Sequence, residues 1–113
     1  MRIRATTVLL VLVFLTPLSA APEPTTVKEA FDRHLLVYTV IPRYSSYLQR
    51  RRVKGSGVFE MEFNYDSGRV REVHIVQSTG NDMLDRDTIF ALRRWRVKRR
   101  SVHTLRLPIT FDG

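Results

Sequence analysis

From Val58 to Tyr65 the chain alternates. Phe59, Met61, Phe63 and Tyr65 fall on one side, and Val58, Glu60, Glu62 and Asn64 on the other. That period of two predicts a strand with one buried face. Asp66-Ser67-Gly68 supplies a tight turn, and a second β-rich run from Arg69 to Gln77 follows. In that run Val70 and Val73 have opposite parity while Val73 and Ile75 agree. Either a bulge lies near Arg71-Glu72 or both faces are partly covered. Ser78-Thr79-Gly80-Asn81-Asp82 breaks the run. Leu84, Thr88, Ala91, Leu92 and Trp95 then recur at helical spacing, predicting a helix from about Asp82 to Val97 with Trp95 in its core register. Acids open this helix (Asp82, Asp85, Asp87) and arginines close it, the sense the helix dipole favours.

The flanks read less sharply. Thr104 to Phe111 alternates cleanly, with Leu105, Leu107, Ile109 and Phe111 on one face and Thr104, Arg106, Pro108 and Thr110 on the other. Pro108 has no N–H to give a ladder, so this strand is expected at a sheet edge. Upstream, Tyr44 to Val53 predicts a short helix after Pro42, with Tyr47 and Leu48 turned inward, ended by Gly55-Ser56-Gly57. Thr26-Val27-Lys28-Glu29 fits a capping box, and Val27, Ala30, Phe31, His34 and Leu35 fit one helical face. Leu36 to Ile41 is β-branched and aromatic enough to be extended instead. The expected fold is α+β: a small three-stranded antiparallel sheet packed by two helices.

The ordered set of features resembles the C-terminal domain family of TonB. Gly57, Asp66, Gly68, Val70, Ser78-Thr79-Gly80, Leu84-Asp85, Ala91, Trp95-Arg96, Pro108 and Phe111 carry the likeness, from about Ile41 onward. Three departures stand out: Ser45 rather than Pro follows Tyr44, the hairpin turn is about one residue short, and Lys98-Arg99-Arg100 follows Val97 in place of a Pro and often a Gly. The resemblance implies a periplasmic interaction module without catalytic residues. Its implied partner is a short segment of a TonB-dependent outer-membrane receptor, or of another envelope protein, added beside the last strand. On that basis Thr104, Leu105, Arg106, Leu107, Pro108, Ile109 and Thr110 are the candidate partner-binding residues. An edge strand exposes unpaired N–H and C=O groups that accept an extended peptide, or a second copy of the chain as a homodimer. The opposing reading is that Pro108 blunts the edge against aggregation.

The N-terminus bears on compartment. Arg2 and Arg4 precede an uncharged run, Ala5 to Ala21, apolar from Val8 to Leu15 and followed by Pro17 and small residues. This is the pattern of a secretory signal, with cleavage expected after Ala20. An uncleaved inner-membrane anchor is the alternative, although spanning takes about 20 apolar residues. The division expected is a signal peptide at 1–20, a leader with a short helix or strand at 21–41, and a TonB C-terminal-like domain at 42–113. No long Pro-rich spacer precedes the domain, so the chain spans little distance by itself.

The formal net charge is +8 and the pI near 10.8, and only Lys28, Lys54 and Lys98 among the 19 basic residues are not arginine. Two runs are dense: Arg50-Arg51-Arg52 with Lys54, and Arg93 to Arg100. Export argues against nucleic acid and makes anionic lipid or lipopolysaccharide the more available partner. A small exported cationic envelope-binding or structural protein is therefore the alternative function. A solvated, dipole-stabilised helix end explains the second run without any ligand. No cysteine is present, which excludes disulfides and thiolate metal sites. His34, His74 and His103 are dispersed with no metal spacing, Asp82, Asp85 and Asp87 lack the calcium-loop pattern, and Ser78 lacks a nucleophile elbow. Neither an enzyme nor a cofactor is implied.

Overall fold

The computed structural model describes residues 22–112. The signal-peptide and anchor readings of the N-terminus lie outside them. The element order is α1 (Val27–Asp32), β1 (Leu36–Tyr38), α2 (Ser46–Arg50), β2 (Gly55–Phe63), β3 (Val70–Gln77), α3 (Asp82–Leu92), β4 (Arg96–Val97) and β5 (Thr104–Phe111). β2 lies between β3 and β5 in an antiparallel three-stranded sheet, and β1 and β4 form a separate antiparallel pair. This is the α+β architecture expected, with α1 as a third helix.

The alternation of β2 sets the layers. Phe59, Met61 and Phe63 are buried, together with Ala30, Leu92, Trp95, Val97, Val102 and Leu105. A smaller cluster joins Leu48, Leu84 and Phe111, where Tyr44 meets Phe111 edge-on at 5.3 Å. The opposite face of the sheet is polar. There Glu60 faces Arg106 at 3.2 Å across β2 and β5, and Glu62 faces Arg71 at 3.1 Å. Exposed pairs of this kind are worth about 0–1 kcal/mol each, so the sheet is held by its apolar side.

The parity break in β3 is a bulge. Phe63 pairs with Val70 and Glu62 with Glu72, leaving Arg71 as the extra residue. Four expectations need correction. The third helix stops at Leu92 rather than Val97, because Arg96 and Val97 turn into β4, with the Val97 N–H donating to Gly68 O at 2.9 Å. Gly68 is at φ +75°, and a Cβ there would meet Val97 O at 2.1 Å, so the turn admits only glycine. Of the α2 pair only Leu48 turns inward; Tyr47 is exposed under the Arg51 guanidinium, because a five-residue helix presents a single narrow face to the core. Phe31 is exposed, since Ala30 takes the position of closest approach and leaves no depth for a ring beside it. Tyr65 lies past the end of β2 and stacks on His103 at 4.2 Å instead of entering the core.

Candidate partner-binding edge

β5 pairs only with β2 inside its sheet, which makes it an edge strand. Its two sides are told apart by one bond: the Arg106 N–H donates to Thr25 O at 2.8 Å, so it points away from β2. Antiparallel alternation then turns the backbone groups of Thr104, Pro108 and Thr110 outward as well. Pro108 therefore lacks its N–H on the free side and costs the β2 ladder nothing. The side chains of Leu105 and Phe111 are buried, Leu107 and Ile109 are half-buried, and Thr104, Arg106, Pro108 and Thr110 are exposed. The seven candidate residues thus share one strand and one edge.

That edge is partly covered by the chain itself. Thr26 bridges Arg106 in parallel register. Upstream, the Glu23 carboxylate accepts from the His103 backbone N–H and lies 2.9 Å from its Nδ1. Burial pushes the Glu23 carboxyl up, and the His103 ring, the His103 N–H and the Thr104 N–H together pull it net below the usual glutamate range. Pro24, between these contacts, is fully buried. Thr26 then caps α1, accepting from the Glu29 N–H at 3.1 Å. Sequence separation hid this cover: Thr25 and Arg106 carry no mutual signal, and only the capping box at Thr26 marked the place. Beyond Arg106 the edge opens beside an apolar groove of about 710 Å³, walled by Val27, Phe31, Val40, Ile41, Trp95 and Leu107. Trp95 is held there by its Nε1–H, which donates to Val40 O at 2.8 Å.

The other singled-out residues have structural settings. Ser78 Oγ, the Thr79 N–H and Thr79 Oγ1 all donate to the carboxylate of Asp85, at 2.5, 2.9 and 2.6 Å. Burial pushes that carboxyl up, and the three donors outweigh it, holding it below the usual aspartate range. Asn81 caps α3, accepting from the Met83 and Leu84 N–H groups. His74, dispersed in sequence, is brought by the β2–β3 register to 3.1 Å from Glu62 and 3.9 Å from Glu72. Arg71 already holds the other oxygen of Glu62, so the group is an exposed ion-pair cluster.

Residues 41–112 match the family model described as the Gram-negative bacterial TonB protein C-terminal. The solution NMR structure of the Pseudomonas aeruginosa TonB C-terminal domain superposes with a TM-score of 0.53, at 20% identity over 68% of this chain and 81% of that one. At that identity the likeness speaks for the fold. No curated protein sequence matches the chain. The match to the family model spans well over half of the 113 residues, and the chain belongs to the TonB C-terminal domain family.

Proposed function

We propose that this envelope protein-interaction module works in the periplasm, where it takes an extended segment of a partner, such as an outer-membrane receptor, along the outer edge of β5. One observation supports the reading above others: the edge already accepts strand pairing, from Thr25 and Thr26 of the same chain. A partner segment makes the same main-chain bonds by exchanging with Glu23–Thr26, and runs on toward Thr110 beside the apolar groove. A second copy of the chain entering the same edge gives a homodimer.

Two variants test exchange. Glu23→Ala loosens the cover without touching β5, so photocrosslinking of a receptor segment from Thr104 should rise several-fold. Arg106→Pro removes an outward N–H that β2 does not use. The fold should survive, with β2 amides as protected as in the parent. Made on top of Glu23→Ala, where the cover competes less for this N–H, the substitution should lower crosslinking by up to about tenfold, the weight of one hydrogen bond at roughly 1–1.5 kcal/mol. Unchanged crosslinking in both variants, with the fold intact, would reject strand addition at this edge. Export is tested separately: protein from the periplasmic fraction should begin near Ala21, and an intact Met1 in a soluble cytoplasmic pool would contradict it.

A second reading, contact with anionic lipid, is favoured by arginines that have no acidic partner. Arg43, Arg69, Arg93, Arg94 and Arg96 form no ion pair among the described residues, whereas Arg71, Arg100 and Arg106 do. Adhesion through such charges weakens steeply with salt, and strand addition does not.

A further inference from the structure

Two hollows meet at Arg94. Ile41, Arg43, Asp87 and Phe90 help to bound the first. Arg69, Arg93 and Arg96 help to line the second, which has no carboxylate among its lining residues. The arginines come from separate segments: Arg69 follows the hairpin turn and is bridged to Arg96, while Arg93 and Arg94 follow α3. α3 itself has no basic residue in its last turn; Arg93 is its C-cap, and Arg94 and Arg96 lie beyond its end. The second hollow thus gathers like charges with no carboxylate in its lining, and Asp87 is the single acid bounding the first.

Two apolar side chains stand on the same surface. Ile41 is 87% exposed and Phe90 66%, the two most exposed large hydrophobics beside Phe31. Both stand at the rim of the first hollow, and Ile41 also borders the apolar groove beside β5, so each side chain is largely open to solvent next to the arginines. Guanidinium groups bind phosphate in bidentate fashion. Apolar prongs ringed by basic residues are the composition of interfacial membrane contacts.

We propose that this face seats on an anionic phospholipid surface, with Arg43, Arg93, Arg94 and Arg96 on lipid phosphates and Ile41 and Phe90 at the acyl boundary. The proposal rests on the lipid reading above and adds which of the two arginine runs makes the contact. In the other run, Arg50–Arg52, the Arg51 guanidinium lies over the Tyr47 ring at 4.7 Å.

The test is partition of the full chain onto phosphatidylglycerol-containing vesicles, divided by its partition onto neutral phosphatidylcholine vesicles. The ratio removes any contribution that does not depend on lipid charge. Each basic residue near an anionic surface is worth roughly a factor of five. Arg93→Gln/Arg94→Gln/Arg96→Gln should therefore lower the ratio about a hundredfold, and Arg50→Gln/Arg51→Gln/Arg52→Gln far less. Ile41→Ser/Phe90→Ser should lower binding to the anionic vesicles by about tenfold, and both positions are exposed enough for the fold to tolerate it. A parent ratio near one overturns the lipid reading and this site together. Equal losses in the two arginine variants, or none in the first, overturn the site alone. Loss in the first arginine variant with full binding by Ile41→Ser/Phe90→Ser leaves the arginines on lipid headgroups and overturns the placement of Ile41 and Phe90 at the acyl boundary.

Discussion

Trp95→Ala is expected to unfold much of the population at growth temperature. The indole is buried among Phe59, Met61, Leu105 and Ala30, and its Nε1–H holds Val40 O. Truncating a buried large aromatic costs about 3–5 kcal/mol. A domain of this size has roughly 5–15 kcal/mol in total and sits toward the low end. At about 4–8 °C per kcal/mol, the thermal midpoint should fall by on the order of 20 °C. Trp95→Phe keeps most of the apolar contact and loses the bond to Val40, so it should lie between the parent and Trp95→Ala. Circular dichroism melts of the three proteins check this. A midpoint for Trp95→Ala equal to the parent's would place the indole outside the core and free it for partner contact.

Asp85→Ala should be the next most damaging change. Asp85 is 8% exposed, and its carboxylate accepts from two hydroxyls and one backbone N–H. Hydrogen bonds to a charged group are worth about 1.5–3 kcal/mol each. Ser78 is at the surface and can turn to water, so the expected loss is about 2–4 kcal/mol. Asp85→Asn keeps the shape but presents an amide N–H₂ to one of the donors, and should recover only part. The same site gives a pH signature. The folded carboxyl is held below its ordinary range, so its contribution is complete above the unfolded aspartate value and is lost as pH falls through the lowered folded value. Denaturant melts over that acidic window should show a steeper slope in the parent than in Asp85→Asn, which keeps only the part due to Glu23 and other acids; matching slopes would assign the acid sensitivity elsewhere.

What could be read in the sequence was whatever is local. The alternation in β2 and β5, the parity break at Arg71 and the edge position implied by Pro108 each follow from neighbouring residues. Trp95 could be placed in the core from its register, yet the same register extended α3 too far, because the pairing of Arg96 and Val97 with Leu36 and Tyr38 is set by residues about sixty positions away. Asp85 was legible as an acid at a helix start. Its true setting needed Ser78 and Thr79 to fold back onto it, and a dipole argument contains no such turn. At the candidate site, the strand was visible and its cover was not. Nothing in Glu23-Pro24-Thr25 announces that it lies along Arg106.

That cover also decides how the molecule takes a mechanical load. A pull applied upstream of Pro22 reaches the described fold through the Arg33 side chain on Pro22 O, then Glu23 on His103, then Thr25 on Arg106. The β2–β5 ladder lies behind these contacts and feels the force only after they part. Tension therefore peels the segment from its N-terminal end and bares the Thr104–Arg106 edge while the hydrophobic core is still intact. Force and accessibility are tied together in one short stretch of backbone.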